Sequence, residues 1–559
     1  MNVRVCKCRF KIKIVMVGAM ATMLLVSVLS FFAAPSDSIY IVEPGPKFPP
    51  TRGEVWPKPQ KETKSDYFYL FRPDVIQIEI VNKKCNLLNE TIERYTEIWQ
   101  RQYMIVKRYN NISTHVEPHD IEKYLGVLKR LTINMSAPCE YYPHFDMDES
   151  YNLTVGANSQ MTSLSVWGMM RAFESWTHLL YFTDDSKEIR INKTEIHDFP
   201  QYKHRGLLLD TGRHYLSLNT IQKTLDAMSI NKMNVLHWHI VDDQSFPYKS
   251  EILPSLSEKG AFHPSMVYTK KDIKMIINYA RDRAIRVIPE IDVPGHTRSW
   301  GAAYPTLLTK CYEKNKVIAY GPLNPIRSTT YKILGELIRE VQNLFPDRYY
   351  HVGGDEVDLS CWQSNPELKE YMKQHNLTAN GVHAMFMKEV IGRVKKTTVP
   401  IVWQEVYDEK VPISKDTLIQ VWKYKWIDEM IKILNSGHKV VFSSSWYLDY
   451  LNFNWNSFYG DDPRLMVYQK KKNARLENIV GGEACMWGEM ADDTNVISRT
   501  WPRTSAVAER LWSGLDYKHP PKDPVTIHVR QRIEEHTCRM LRRGIAAEPP
   551  NGPGFCVNI

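Results

Sequence analysis

Residues 349–356 read Tyr-Tyr-His-Val-Gly-Gly-Asp-Glu, a short apolar run that ends in two glycines and two adjacent carboxylates. The run has the length and composition of a buried strand, and the glycines mark the place where that strand turns into its loop. Neighbouring residues on a regular strand point to opposite faces, so both acids can reach one pocket only at such a break. The stretch therefore predicts a buried strand whose carboxyl end carries two candidate catalytic residues.

The same pattern recurs along the chain beyond residue 200, where short apolar runs alternate with amphipathic helical segments such as 269–284 and 327–345. The apolar runs lie at 206–210, 234–240, 285–292, 349–356, 400–405, 418–423, 439–444 and 478–489. Eight strand-helix units over about 350 residues predict an α/β fold class, a (β/α)8 TIM barrel that occupies residues 199–559. A doubly wound open sheet is the alternative.

Polar residues follow these runs at their carboxyl ends, where TIM barrels carry their catalytic groups. The residues are Asp210, His239, Asp242, Asp243, Glu290, Asp292, Asp355, Glu356, Glu405 and Glu489. Scattered surface charge would not choose those ends. The pattern therefore predicts a functional site at one end of the barrel.

The first 200 residues predict three further parts. Basic residues between Arg4 and Lys13 precede an uncharged run at 14–34, which is long enough to span a bilayer. The positive-inside rule makes 1–13 a cytosolic tail and 14–34 the signal anchor of a type II membrane protein. A cleaved signal peptide is the alternative.

Residues 35–64 are rich in proline and charge, and they predict a stalk. The next part of the chain predicts an α/β domain at 65–198, with short strands at 74–81, 103–109 and 129–136 and a helix within 163–182.

Cysteines and glycosylation sequons agree with a lumenal or extracellular location. Seven of the nine cysteines follow residue 34, an odd number that leaves at least one unpaired. The six acceptor sequons are at Asn89, Asn111, Asn134, Asn152, Asn192 and Asn376. Lysosome, Golgi and cell surface stay open, and a cleaved segment would give a lysosomal or secreted protein. No basic stripe with interleaved aromatics follows the first residues, so a nucleic-acid partner is not expected.

The adjacent acids Asp355 and Glu356 do not suit ordinary glycoside hydrolysis, in which two carboxyl groups flank the bond roughly 5 Å or more apart. They suit a substrate that carries its own nucleophile, the 2-acetamido group of an N-acetylhexosamine. Glu356 would then protonate the leaving oxygen and later activate water, while Asp355 would hydrogen-bond the acetamido N–H. Two solvated loop acids are the alternative.

This chemistry requires no cofactor and no metal. A zinc site from His237, His239 and His296 is the metal alternative, although these residues lack the usual close ligand spacing.

Several motifs resemble β-N-acetylhexosaminidases of glycoside hydrolase family twenty, most closely the animal lysosomal subunits. They are "DTGRHY", "NVLHWHIVDDQSFPY", "IDVPGHT", "HVGGDEV", "IVWQEV", "WYLDY" and "GGEACMWGE", in order, within a resemblance from about residue 55 to 556. The resemblance implies an exo-acting, retaining hydrolase of terminal β-linked GlcNAc or GalNAc. It leaves glycolipid, N-glycan and chitin-oligomer substrates equally open.

The resemblance also implies roles for individual residues. Glu356 would be the acid/base, Asp355 and Tyr447 would bind the two ends of the acetamido group, and Asp449 would disfavour anionic sugars, whereas Tyr450 fits neither specificity pattern. The sugar-binding residues would be Arg213, Trp403, Trp422, Trp487 and Glu489, with Asp242 and His296 orienting Glu356 and its neighbours.

Disulfide pairs and assembly are implied in the same way. The pairs would be Cys85 with Cys139, Cys311 with Cys361, and Cys538 with Cys556, leaving Cys485 free, and the assembly would be a homodimer.

Two rival functions remain. A hydrolysis-dead lectin predicts loss of Glu356 or Tyr447, yet both are present. A retaining glycosidase with a protein nucleophile predicts a glycosyl adduct on Glu405.

Overall fold

The computed structural model describes residues 45–109, 118–184 and 186–557. The predicted cytosolic tail at 1–13, the membrane segment at 14–34 and the first part of the stalk lie outside these residues, as does the sequon at Asn111. Within the described part of the chain, none of the helices combines the length and the apolar character that crossing a bilayer requires.

A closed barrel of eight parallel strands forms the larger part of the fold. In chain order its strands are β9 (His204–Asp210), β10 (Val235–His239), β11 (Arg286–Glu290), β14 (Tyr349–His351), β15 (Val399–Trp403), β16 (Leu418–Val421), β17 (Lys439–Phe442) and β18 (Ile479–Met486), and β18 closes the ring on β9. Each predicted run overlaps one of these strands. The prediction of a TIM barrel is confirmed, and the doubly wound sheet is wrong.

Helices and one hairpin connect the barrel strands. The longer helices bury an apolar stripe against the strands, as Ile273, Ile276 and Ile277 do in the helix after β10. A hairpin of β12 (Leu308–Glu313) and β13 (Lys316–Leu323) interrupts the connection from β11 to β14. The helices of this part are Leu218–Ile230, Ser255–Gly260, Lys270–Arg281, Ser328–Leu344, Leu359–Ser364, Pro366–Gln374, Ala379–Ile391, Gln404–Asp408, Trp426–Asn435, Trp455–Gly460, Pro463–Lys470, Val496–Thr500, Arg503–Ser513 and Ile527–Arg542.

A mixed eight-stranded sheet precedes the barrel. Its path runs β2 (Gln77–Asn82), β4 (Arg130–Met135), β6 (Ser159–Ser163), β5 (Tyr151–Val155), β8 (Ile189–Asp198), β1 (Lys61–Leu70), β3 (Tyr124–Val127), and β7 (Leu180–Phe182) pairs with β8. The helices Asn86–Tyr109 and Val166–Leu179 pack with it, and the second of these is buried along its whole length. This is the α/β domain that the sequence predicts.

Two predictions in the first part of the chain are wrong. Residues 103–109 are not a strand but the last turns of the helix Asn86–Tyr109, because Trp99, Tyr103 and Val106 recur at helical spacing and are buried together. The predicted stalk extends too far, since Trp56 is fully buried and donates its indole N–H to Ser505 O at 3.0 Å. Strand β1 begins at Lys61, before the predicted end of the stalk at residue 64.

The covalent features occupy defined places. Disulfides join Cys85 to Cys139, Cys311 to Cys361 and Cys538 to Cys556, which are the pairs that the resemblance implies, and Cys485 is free and buried. Among the sequons, Asn89, Asn152 and Asn376 are exposed, whereas Asn134 and Asn192 are partly buried. The Asn192 amide also donates to Ser65 O and accepts from the Tyr181 hydroxyl.

Candidate active site

The end of β14 is shaped by two glycines. Gly353 and Gly354 have φ of +68° and +106°, which L side chains rarely adopt. A Cβ on Gly353 would lie 1.6 Å from Asp292 Oδ1, and the Gly354 N–H donates to the same oxygen at 2.7 Å. The chain therefore turns sharply against β11, and the two acids that follow leave the strand geometry.

Asp355 and Glu356 face the same region from different depths. The Asp355 side chain is 10% exposed and that of Glu356 is 59% exposed. His296 Nε2 lies 4.0 Å from Asp355 Oδ2 and 3.9 Å from Glu356 Oε2, so one imidazole faces both carboxylates. Oδ1 of Asp355 is buried and meets no hydrogen-bond partner among the described residues. The prediction that a strand break lets both acids reach one pocket is consistent with this geometry.

Asp292 is a buried carboxyl beside Asp355. It is 1% exposed, and burial together with the charges of Asp355 and Glu290 raises its pKa well above the ordinary value. Two neighbouring buried carboxylates cannot both ionise cheaply, so this arrangement favours the neutral form of Asp292.

His296, Asp242 and Arg213 form a charged network behind the two acids. His296 Nδ1 lies 3.2 Å from Asp242 Oδ1, and Arg213 Nε lies 3.0 Å from Asp242 Oδ2. Burial alone would lower the pKa of His296, but the hydrogen bond with Asp242 and the charges of Asp355 and Asp242 raise it to about 9. The raised pKa favours the charged form of His296, whose ring faces the carboxyl groups of Asp355 and Glu356.

Arg213 also reaches the rim of the site. Its Nη1 lies 3.0 Å from Asp210 Oδ2 and 3.7 Å from Glu489 Oε1, and its guanidinium lies 5.0 Å from the ring centre of Trp487. Glu489 is half exposed. A rigidly held guanidinium beside an exposed carboxylate offers donors and acceptors for sugar hydroxyls.

Aromatic rings enclose the space next to the acids. Trp403 is fully buried, donates its indole N–H to Glu290 Oε1 at 2.8 Å, and lies 6.5 Å from Trp422 and 6.0 Å from Trp487 between ring centres. Trp422 and Trp487 are partly buried and share this cluster with Tyr447. The structure thus brings the three predicted tryptophans together as walls of one apolar pocket.

Tyr447 completes that wall. Its ring stacks on Trp422 at 6.2 Å and 23°, and the segment around it pairs with β18 through Cys485. Burial, with lesser effects from Cys485 and Asp355, raises the pKa of the phenol well above its ordinary value. The hydroxyl is therefore protonated at any working pH and is available as a donor.

Glu405 lies under Trp422 rather than free in the pocket. Its Oε2 accepts the Trp422 indole N–H at 3.0 Å and its Oε1 lies 2.9 Å from Lys423 Nζ. Burial and the charge of Asp355 raise the pKa of Glu405 to about 7, although Trp422 and Lys423 oppose the shift. Both oxygens hold neighbouring side chains in place.

Asp449 faces the rim beside Glu489. Burial raises its pKa to about 6, with a further increase from the charge of Glu489 and decreases from Arg503 and Arg213. Its Oδ1 is buried and meets no hydrogen-bond partner within the described residues. The next residue, Tyr450, is 55% exposed and stacks on Tyr447 at 6.0 Å.

The predicted zinc alternative does not form one set of free ligands. His237 has Glu483 2.8 Å from Nδ1 and Glu290 3.0 Å from Nε2, while His239 lies between Glu290 and Asp242 at 2.6 and 2.7 Å. Both rings use their nitrogens on carboxylates. Within the described residues, metal-like spacing occurs instead in the groups His237–Glu290–His351 and Asp292–His296–Asp355.

Sequence reasoning gave no site role to several residues that the geometry makes part of the site. Asp210 anchors Arg213, Glu290 holds Trp403 and three histidines, and Asp292 accepts the Gly354 N–H beside Asp355. All three are among the polar residues at strand ends, so the signal was present. Their partners come from distant parts of the sequence, which is why their roles were not visible there.

The fold and these groups define a class of protein, a TIM-barrel hydrolase whose carboxylates and tryptophan walls suit a sugar. The sequence matches the families described as "Glycosyl hydrolase family 20, catalytic domain" over residues 202–515 and "beta-acetyl hexosaminidase like" over 55–179. It is 38% identical to the beta-hexosaminidase subunit beta of Homo sapiens over 549 residues, covering 95% of this chain and 93% of that protein. Identity to the subunit alpha of Bos taurus is 37% over 528 residues, with coverage of 90% and 94%.

A solved structure has the same fold. The chitobiase of Flavobacterium johnsoniae superposes with a TM-score of 0.74 at 30% identity, over 88% of this chain and 73% of that one. The chain therefore belongs to glycosyl hydrolase family 20. It is an enzyme of the β-N-acetylhexosaminidase class, exo-acting on terminal β-linked GlcNAc or GalNAc by the substrate-assisted mechanism that is characteristic of the family.

Proposed function

We propose that the adjacent acids divide the work of this reaction, with Glu356 as the general acid/base and Asp355 as the partner of the acetamido N–H. The observation that carries the proposal is their difference in depth beside one cationic ring: Glu356 is 59% exposed at the pocket mouth, Asp355 is buried, and His296 faces both. An exposed carboxyl can exchange its proton with the leaving oxygen and with water. A buried anion stabilises a positive charge without leaving its place.

In the proposed mechanism the acetamido carbonyl oxygen attacks the anomeric carbon while Glu356 protonates the departing oxygen. The glycosidic bond breaks, a bicyclic oxazolinium ion forms, and Asp355 stabilises its N–H as positive charge develops. Tyr447 donates its hydroxyl to the acetamido oxygen. Glu356 then removes a proton from water, which attacks the anomeric carbon, opens the ring and returns the acetamido group with retained configuration.

Arg213 and Glu489 bind hydroxyls of the sugar, and the tryptophans confine its ring and methyl group. The contacts that support these roles are the anchoring of Arg213 by Asp210 and Asp242 and its 3.7 Å approach to Glu489. Trp403, Trp422 and Trp487 supply flat apolar faces of the kind that pack on sugars and methyl groups. Asp242 and His296 act as positioning residues through the network behind the acids.

Glu405 is a poor candidate for the rival mechanism with a protein nucleophile. A nucleophile must be ionised and free to move toward the anomeric carbon. Both oxygens of Glu405 contact neighbouring side chains, and the raised pKa keeps much of this carboxyl protonated below pH 7. These facts favour the acetamido group as nucleophile.

The experiment that tests the proposal compares wild type with Glu356→Gln on aryl β-GlcNAc and on the matching aryl β-glucoside. We expect the variant to lose nearly all turnover on substrates with ordinary leaving groups while it still binds GlcNAc, and wild type to be nearly inert on the glucoside. Wild-type rates for Glu356→Gln would refute the assignment. A glycosyl group trapped covalently on Glu405 would replace the mechanism with its rival.

Neutral sugars are the proposed substrates. Asp449 places a carboxylate at the rim, where a sulfate or carboxylate on the sugar would meet like charge. Whether the natural source is a glycolipid, an N-glycan or a chitin oligomer stays open. Rates on aryl-GlcNAc, aryl-GalNAc and their 6-sulfated forms test the preference, and faster turnover of the sulfated forms at neutral pH would overturn it.

A homodimer is the proposed assembly, with a second copy covering exposed apolar residues beside the pocket. Leu451 and Phe453 are 62% and 44% exposed, and Tyr424, at 90% exposure, lines the cavity of about 730 Å³ that adjoins Trp422 and Tyr450. Patches of this kind on a folded protein mark interaction sites. Light scattering should give a dimer mass for wild type and a smaller mass for Leu451→Asp; a monomeric wild type would exclude the dimer.

The proposed location is the lumenal or extracellular side of the endomembrane system, with the type II anchor at 14–34. Three disulfides and exposed sequons at Asn89, Asn152 and Asn376 support an oxidising compartment. Deleting residues 1–35 behind a foreign signal peptide should yield soluble, active enzyme. A mature amino terminus near residue 35 in native material would instead establish a cleaved signal.

A further inference from the structure

A cavity lined by five arginines lies between the amino-terminal α/β domain and the barrel, and the mechanism above does not use it. Its volume is about 480 Å³. The helix Asn86–Tyr109 forms one wall and the helix Leu218–Ile230 with Tyr279 forms the other, while the end of the last helix closes one side. The arginines are Arg94, Arg101, Arg283, Arg542 and Arg543.

Carboxylates in and around the cavity compensate three of the five charges. Arg283 Nε lies 2.6 Å from Asp226, Arg101 Nη2 lies 3.5 Å from Glu97, and Arg543 pairs with Glu174. Among the described residues, Asp226 and Glu97 are the acids of the lining. The remaining two guanidinium groups form no ion pair there, and the carboxylates that act on them do so at longer range, Asp282 and Glu174 on Arg94 and Glu535 on Arg542.

Arg94 and Arg542 are those two groups. Arg94 Nη2 and Arg542 Nε are buried and meet no hydrogen-bond partner among the described residues. For Arg542 the ring of Phe182 lies 5.3 Å away, and its Nη1 reaches only Val557 O at 3.5 Å. Burial lowers the pKa of both, to about 10 for Arg542, where neighbouring Arg539 adds to the effect. Leaving a buried charged donor unpaired is costly, and both of these side chains line the cavity.

We propose that this cavity binds a small ligand through a phosphate or sulfate group. Guanidinium forks match the oxygens of such groups, and five arginines lining one space favour a polyvalent oxyanion over chloride. The volume lies in the range of small-molecule sites and exceeds what one oxyanion fills, so the group is carried by a body of about monosaccharide size. The ligand joins the two domains, because its partners come from the α/β domain helix and from the barrel.

Isothermal titration at fixed ionic strength tests the proposal with inorganic phosphate, inorganic sulfate and glucose 6-phosphate, and with glucose as the neutral control. Wild type should bind the three anions saturably and glucose not at all, with glucose 6-phosphate tightest. Arg94→Gln and Arg542→Gln should each weaken binding about 10- to 100-fold, as for loss of a hydrogen bond to a charged group. Arg94→Lys, which keeps the charge and loses the fork, should fall between.

Arg130→Gln is the matched control, because Arg130 is exposed on β4 of the same domain and does not line the cavity. It should bind like wild type, and all variants should keep wild-type turnover of aryl-GlcNAc, which shows that they are folded. If Arg94→Gln lacks wild-type turnover and is therefore not correctly folded, anion binding by Arg542→Gln tests the proposal instead. Absence of saturable anion binding by wild type, equal binding by the Arg542 variant, or equal loss in Arg130→Gln would overturn the proposal.

Discussion

Replacing Tyr447 by phenylalanine removes one oxygen from the pocket and leaves the rest of the wall in place. The ring is buried and packs on Trp422 and Tyr450, contacts that phenylalanine retains. The variant should therefore fold normally, with a change in the free energy of unfolding of about 1 kcal/mol or less. What it loses is the hydroxyl that we propose donates to the acetamido oxygen.

The size of the effect follows from what that hydroxyl does. A single positioned donor at a developing charge contributes roughly 2–4 kcal/mol to transition-state stabilisation, which is about 30- to 1,000-fold in rate. We expect kcat/KM on aryl-GlcNAc to fall by that factor. A thiazoline analogue of the oxazolinium intermediate should lose affinity in parallel, because it presents the same group to Tyr447.

Tyr450→Phe is the matched control, since it removes the same atom from the adjacent, stacked and 55% exposed ring. Its kcat/KM and thiazoline inhibition should stay within about twofold of wild type, as expected for an exposed hydroxyl away from developing charge. Steady-state rates and inhibition constants for the three proteins are the assay. Equal losses in both variants, or a threefold or smaller loss in Tyr447→Phe, would refute the reasoning.

Two further predictions concern the other acids. Asp355→Asn should lower kcat strongly while changing affinity for neutral ligands little, because it removes an anion that acts mainly on the charged intermediate; unchanged kcat would exclude the acetamido role. For Asp449, the pKa of about 6 makes the carboxyl neutral below that pH and negative above it, so preference for neutral over 6-sulfated substrate should increase as pH rises through 6. Asp449→Asn should flatten that dependence in rates measured from pH 4 to 8, and a wild-type preference that is constant over this range would contradict it.

The barrel could be predicted because its signals are local. Each parallel strand is buried on both faces, so it appears in the sequence as a continuous apolar run, and helices with apolar stripes separate the runs. Reliance on local pattern also explains the wrong prediction of a strand at 103–109. The apolar residues of this stretch are frequent enough for a strand, and only the buried positions of Trp99, Tyr103 and Val106 reveal the helical period. A local pattern cannot distinguish a helix from a strand when its apolar residues fit both the helical and the strand period.

The residue types of the site could be predicted from the sequence, but the contacts between those residues could be predicted less well. Asp355, Glu356 and the tryptophans could be named from strand ends and motifs. The raised pKa of Asp292 could not be predicted, because it depends on burial and on Asp355, which is 63 positions away in the sequence. The unpaired arginines of the second cavity were likewise invisible, since α/β-domain and barrel residues meet there only in three dimensions.

The state of Asp292 provides a separate test of the electrostatics. One oxygen accepts the Gly354 N–H at 2.7 Å, and burial with the charges of Asp355 and Glu290 raises the pKa of the group, which favours its neutral form. Asparagine reproduces both features, because its carbonyl oxygen accepts and its side chain is neutral. We therefore expect Asp292→Asn to keep kcat/KM within about tenfold, whereas Asp292→Ala, which leaves the Gly354 N–H unpaired at a cost of about 1–3 kcal/mol, should lose considerably more.

The pH dependence distinguishes a protonated Asp292 from an ionised one. In wild type, raising the pH through the elevated pKa of Asp292 should ionise that carboxyl and place a second negative charge beside Asp355, and the repulsion between the two carboxylates should lower activity. Asparagine cannot ionise, so the alkaline limb of kcat/KM should move to higher pH in Asp292→Asn. An alkaline limb at the same pH in Asp292→Asn and in wild type would contradict the reasoning.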